Sequence, residues 1–129
     1  MIEFEVVGNP VAQARPRVSR FGGGVRMYDP AKVKDYKSYF KLCASRAAPK
    51  TLLDGPISVR LDVYVLKPKS WAKSRVHADT KPDADNFAKS ALDAMEGVIY
   101  TNDSRIVSLQ VEKYLSETPR CVVRIEEKK

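Results

Sequence analysis

Apolar residues alternate with polar ones along several stretches of this chain and recur every three or four residues along two others, and that change of period lays out its elements. Ile2 to Val7 reads as a first strand. Ile57, Val59, Leu61, Val63 and Val65 mark a half-buried strand, because side chains two apart share one face of a pleated sheet. Val107, Leu109, Val111 and Leu115, then Cys121, Val123 and Ile125, mark two closing strands joined by a turn around Thr118 and Pro119. Arg17 to Arg20 and Val25 to Tyr28 flank Gly22, Gly23 and Gly24 as a hairpin-like flap.

Helical spacing appears twice. Asp29 and Pro30 supply an N-cap and a first-turn proline for a helix running to about Ala47, with Val33, Tyr36, Phe40, Cys43 and Ala47 along its apolar stripe and Pro49 ending it. A second helix is predicted from an Asp85 cap through Asn86 to Met95. Phe87, Ala91, Leu92 and Met95 fall on one of its faces, and Lys89, Ser90 and Asp93 on the other, before Gly97 breaks the pattern. Lys67 to Thr80 is a polar loop. The expected fold is α+β, a single domain over 1–129 in which a mixed or antiparallel sheet of about four main strands packs with two main helices.

Charge changes the picture. The chain carries 23 Lys and Arg against 16 Asp and Glu, a formal net charge of +7, which suits a polyanionic partner. Ten basic residues stand between Ala12 and Lys50 against only Asp29 and Asp35. Arg15, Arg17, Arg20 and Arg26 form one expected phosphate-contacting group, and Lys67, Lys69, Lys73 and Arg75 a second. Phe21, Tyr28 and Trp71 are available to stack on bases or to pack in the core. Cys43 and Cys121 lie on apolar faces and read as small buried hydrophobes, with no zinc-type spacing, and the lone His77 is placed in a loop or at the surface. No apolar run is long enough to span a membrane and no signal peptide is visible, so a cytoplasmic setting is expected.

Against this basic background, residues 81–106 read KPDADNFAKSALDAMEGVIYTNDSRI. Asp83 and Asp85 are two apart beside Pro82, and in extended backbone they project to one side, where two carboxylates repel unless a cation lies between them. Oxygen ligands of that kind suit a hard ion such as Mg²⁺. Asp103, in the polar turn after Val98, Ile99 and Tyr100, is a third carboxylate able to return to the first two. Each acid also has an ordinary structural reading as a cap or turn residue, and Lys89, four residues from both Asp85 and Asp93, can form an exposed ion-pair ladder.

The pattern P-D-x-D-N-x-x-K-x-x-x-D, followed about ten residues later by an N-D pair and an aliphatic residue, resembles the RusA-type Holliday junction resolvases, small endodeoxyribonucleases of bacteria and their phages. The stretch GNPVAQARPRVSRFGGGVRMYDP resembles the entry segment of many phage-borne members. The resemblance implies that Asp83, Asp85 and Asp103 are metal-binding catalytic acids and that Lys89 is the catalytic lysine; Asn86 and Asp93 are read as standing just behind them, Asp93 either orienting Lys89, capping a neighbouring loop or lying at the rim of the pocket. It implies a Mg²⁺ cofactor, for which Mn²⁺ can substitute, four-way branched DNA as substrate, and a homodimer working in a bacterial or phage-infected cell. The alternatives are a non-catalytic binder of branched DNA on the same scaffold and a metal nuclease directed at flaps or forks. Asn102 departs from the pattern, since many members carry aspartate there.

Overall fold

The computed structural model describes residues 1–13, 17–21, 24–28 and 30–128, with side chains described for 1–13 and 30–128. β1 (Ile2–Val7), β4 (Ile57–Leu66), β5 (Ile106–Ser116) and β6 (Arg120–Glu127) form one sheet in the order β1-β6-β4-β5. β6 runs antiparallel to both β1 and β4, whereas β4 and β5 are parallel, so the sheet is mixed. β2 (Arg17–Phe21) and β3 (Gly24–Tyr28) pair separately as the anticipated hairpin. Two helices, α1 (Ala31–Arg46) and α2 (Ala84–Met95), complete the expected α+β arrangement.

Alternation decides which side of the sheet is covered. Ile57, Val59, Leu61 and Val63 of β4 and Cys121, Val123 and Ile125 of β6 are buried on one face beneath the helices. α1 lies over β1 and against α2, and α2 lies over β5. Phe40 of α1 meets Phe4 edge-on with ring centroids 5.9 Å apart, which locks α1 onto the first strand. The opposite face is polar. There the buried Asp62 accepts hydrogen bonds from the Arg60 side chain (3.2 and 3.3 Å) and from Arg124 Nη1 (2.9 Å), so its burial is compensated.

Several details differ from expectation. Pro30, not Asp29, occupies the cap position of α1, and it offers no side-chain cap; Asp29 lies outside the described residues. Ala44 replaces Ala47 on the buried stripe, because α1 ends at Arg46, and Cys43 is half-buried. In β5, Val107 and Leu109 are exposed although they belong to the alternating set. The reason is topological: β5 is the edge strand, and a shift in its register with β4 falls beside Ile57 and Ser58. Among the described residues no helix is long and apolar enough to cross a membrane.

Candidate active site

The segment before α2 is built differently from the extended pair anticipated for it. A proline restricts the residue that precedes it, here Lys81, and leaves the residues that follow free to enter a helix. Asp83 therefore takes the N-cap position with extended backbone (φ −71°, ψ 153°), Ala84 opens the helix, and Asp85 falls in the first turn. The side-by-side projection expected from an extended Asp83-Ala84-Asp85 backbone does not hold, and Asp85 is not the cap. Asp83 makes no side-chain cap hydrogen bond, and both carboxylates are exposed. They stand at the N-terminal, positive end of the helix dipole.

α2 is fixed on its buried side by Phe87, Ala88, Ala91, Ala94 and Met95. Ser90, expected on the polar face, is only 1% exposed: its hydroxyl donates to the carbonyl of Val11 at 2.8 Å, and the Gln13 N–H donates to the Asn86 carbonyl at 2.9 Å. The N-terminal segment thus lies along the first turns of α2 and leads from there toward the β2–β3 hairpin. That contact explains the burial of Ser90. Asn86 is half-buried and contributes to this seam rather than to the cleft described next.

Between α2 and the helix-side face of β5 runs an open cleft of about 410 Å³, lined by Asp85, Lys89, Asp93 and Asp103 over a floor that includes Leu92 and Val111. Asp83 lies just outside this lining. Asp103 reaches the cleft because the chain turns sharply after α2. Gly97 adopts φ +79°, a left-handed conformation that disfavours a side chain, and its N–H donates to the Tyr100 carbonyl at 2.8 Å. Tyr100 is fully buried and its hydroxyl donates to the Leu92 carbonyl at 2.7 Å, anchoring the returning chain to α2. The Glu96 carboxylate accepts the Asp103 N–H at 3.0 Å.

Asn102 then has a defined task. Its side-chain oxygen accepts the Ser104 N–H at 2.8 Å and caps the short 3₁₀ turn Asp103–Arg105. Aspartate caps in the same way, so the departure at this position preserves the turn.

Electrostatics mark Asp103. Burial, together with the negative charges of Glu96 and Asp93, holds its carboxyl above the usual carboxylate range, while the Tyr100 hydroxyl pulls the other way. Burial and the Asp103 charge in turn push the Tyr100 phenol upward. Asp103 Oδ1 is buried and meets no hydrogen-bond donor among the described residues. An anionic oxygen in that state is a poor structural element and a good cation ligand.

Lys89 is 63% exposed and pairs with Asp93 Oδ2 at 3.6 Å, the ladder partner four residues on. Asp93 Oδ2 is also bound by Lys37 Nζ of α1 at 3.3 Å, so Asp93 is held from a second element while it faces Lys89. Lys113 of β5 donates from Nζ to the carbonyls of Thr80 (2.8 Å) and Pro82 (2.7 Å), tethering the strand of chain that ends at Asp83. Neither Lys37 nor Lys113 was legible from sequence, since their partners are 56, 33 and 31 residues away.

The structure brings Asp85, Lys89, Asp93 and Asp103 into one cleft and leaves Asp83 at its edge. Among the described residues no three acidic, histidine or cysteine side chains lie close enough to form a ready-made metal site. Lys67, Lys69, Lys73 and Arg75 gather around a separate cleft at the ends of β4 and β5. The side chains of Arg15, Arg17, Arg20 and Arg26, like those of Phe21 and Tyr28, lie outside the described residues. His77 is exposed, as expected, with its ring against Tyr114 at 5.9 Å.

Comparison with known proteins places this architecture. A family model described as endodeoxyribonuclease RusA matches residues 7–126. The chain is 44% identical over 136 residues to the protein YqaN of Bacillus subtilis strain 168, covering 98% of this chain and 96% of that one. It is 29% identical over 133 residues to the crossover junction endodeoxyribonuclease RusA of Lactococcus phage r1t, covering 97% and 95% respectively.

Proposed function

This chain belongs to the endodeoxyribonuclease RusA family, and on that premise we propose that it is a Mg²⁺-dependent endonuclease that cuts four-way DNA junctions at the α2 cleft. The observation that carries this reading is the meeting of Asp85, Lys89 and Asp103, three of the four positions matched to the family pattern, in one cleft on a protein of net charge +7.

The donor set fits a hard divalent ion. Asp83, Asp85 and Asp103 offer only carboxylate oxygens, and the buried Oδ1 of Asp103 lacks a donor among the described residues. Because the three acids do not yet converge, the proposed site is one that draws together on the ion, which offsets their mutual repulsion. When bound, Mg²⁺ supplies Lewis-acid chemistry at the scissile phosphate. Lys89 donates hydrogen bonds to the phosphate oxygens as charge builds on them, a task suited to a compact, movable ammonium. Asp93, itself held by Lys37, keeps Lys89 turned toward the cleft. Lys113 fixes the approach to Asp83.

Positive charge grips the substrate. Arg15, Arg17, Arg20 and Arg26 are proposed, from their charge in the sequence, to contact phosphates of the DNA arms. A junction has near two-fold symmetry and its resolution takes two cuts, so the working unit is a C₂ homodimer. The exposed Val107 on edge strand β5 offers a surface for it.

Incubating the protein with an end-labelled synthetic four-way junction, with and without Mg²⁺, tests the reading. Paired cuts near the branch that require Mg²⁺ are expected, with linear duplex left intact. Binding without any cutting favours a non-catalytic junction binder, and preference for flaps, forks or RNA over four-way junctions transfers the activity to another substrate.

A further inference from the structure

We propose that the cleft around Trp71 is a second DNA subsite that takes an unpaired nucleotide, its base stacked on the indole and its phosphate held by the neighbouring lysines. The proposal rests on the reading of the α2 cleft as a DNA-cutting site, and extends it to a site some distance along the same strand.

The cleft has a volume of about 700 Å³ and opens where the parallel strands β4 and β5 end. That is ample for a nucleotide, since small-molecule sites begin near ~300 Å³. Trp71 is half-buried and contributes nothing to the core cluster. One face of its ring is braced by Arg75: the guanidinium lies 3.7 Å from the ring centroid, Arg75 Nη2 pairs with Asp79 at 2.7 Å, and Lys67 Nζ donates to the Arg75 carbonyl at 2.7 Å. A Trp–Arg contact of this kind can serve merely to brace a loop. Here it borders an open cleft in which Lys67, Lys69, Lys73 and Arg75 face a single acid, Glu117. An aromatic platform ringed by cations is the combination that binds single strands, because every base has a face to stack and every nucleotide a phosphate to pair.

The two clefts share a strand. Leu109 and Val111 line the α2 cleft and Leu115 lines the Trp71 cleft, with Lys113 between them. These residues alternate along β5 and so face the same side of the sheet, and the four positions from Val111 to Leu115 span about 13 Å. The segment Thr80–Pro82, held by Lys113, separates the two clefts, so a DNA strand that reaches both passes over it. Stacking on Trp71 needs a base with an exposed face, which paired duplex lacks and a branched substrate supplies only when it is opened at the crossover.

Trp71 is the chain's only tryptophan, so its fluorescence reports this site alone. The full-length protein is titrated, without divalent metal, with a ten-nucleotide oligo-dT and with a blunt duplex at equal phosphate concentration. Saturable quenching by oligo-dT is expected, with little by duplex. Trp71→Ala should weaken binding of fluorescein-labelled oligo-dT, read by anisotropy, between about fivefold and about a hundredfold, and Trp71→Phe should restore most of it. Equal quenching by duplex and single strand, or parental oligo-dT affinity in a folded Trp71→Ala protein, overturns the subsite. Junction cutting in Mg²⁺ is measured on the same preparation: quenching without cutting leaves the subsite standing and removes the nuclease reading, whereas cutting without quenching does the reverse.

Discussion

Replacing Lys113 by methionine isolates the tether that holds the approach to Asp83. Methionine keeps an unbranched apolar stem over the same part of β5 and removes both hydrogen bonds, to Thr80 O at 2.8 Å and to Pro82 O at 2.7 Å. Thr80 and Pro82 are exposed, so water takes over their carbonyls, and the net loss is about 1.5 kcal/mol per bond, the low end for a charged donor. For a chain of this size, each kcal/mol lowers the thermal midpoint by roughly 3–6 °C. The effect on cutting should be larger. The tether ends one residue before Asp83, and a displacement of about 1 Å at a reacting centre costs about a hundredfold in rate, equivalent to about 2.7 kcal/mol. Single-turnover cleavage of a labelled junction should slow by about that factor in Lys113→Met, and the Mg²⁺ concentration giving half-maximal rate should rise, because an acid ligand has lost its positioning. Thermal melting on the same sample supplies the stability change. A rate within threefold of the parent at an unchanged Mg²⁺ requirement, accompanied by the expected melting shift, would show that Lys113 only braces the loop.

Asp83→Asn and Asp85→Asn should each abolish Mg²⁺-dependent cutting and leave junction binding, read by gel shift, close to the parent, since removing an acid does not weaken a basic protein's hold on DNA. Lys89→Ala should slow single-turnover cutting at least a hundredfold with almost no change in melting, because its exposed pair with Asp93 contributes only a few tenths of a kcal/mol. At the third acid, Asp103→Asn should eliminate cutting while Asn102→Ala retains most of it and loses about 1 kcal/mol of stability with its cap, and Asn102→Asp keeps both. The fold raises the Asp103 pKa above its unfolded value, so its contribution to stability is full below the unfolded pKa and is lost as pH rises through the folded one. Asp103→Asn should therefore melt higher than the parent at pH 7, and melting curves at pH 7 and below pH 4 should show that advantage disappearing on acidification.

The parts of this protein that a sequence pattern can carry are those set by neighbours along the chain. β1 was delimited to the residue, and the alternation of Ile57, Val59, Leu61 and Val63 named the buried face of β4, because period and burial coincide in a central strand. α2 is capped at Asp83, two residues before the Asp85 cap that the pattern suggests, because Pro82 restricts Lys81 behind it and not Asp83 ahead of it. Ser90 looked solvent-facing on the helical wheel, and only the docking of residues 11–13 makes it buried. Val107 and Leu109 alternate correctly, but burial on an edge strand depends on what lies above it, which alternation does not encode. Asp85, Lys89 and Asp103, three of the four expected positions, meet in one cleft, and Asp83 lies at its edge. Their supports, Lys37 on α1, Tyr100 beneath the turn and Lys113 on β5, act through three-dimensional contacts and left no signal in spacing.

The account stands or falls on where a divalent ion binds. Crystals of the protein soaked in Mn²⁺ and measured at the manganese absorption edge locate it without reference to activity. An anomalous peak is expected in the α2 cleft, coordinated by Asp85 and Asp103 with Asp83 drawn in from the helix cap, at about 2.0–2.2 Å from their oxygens as for a small hard cation. A peak elsewhere on the protein, or a cleft that stays free of manganese at concentrations that support cutting, would contradict it.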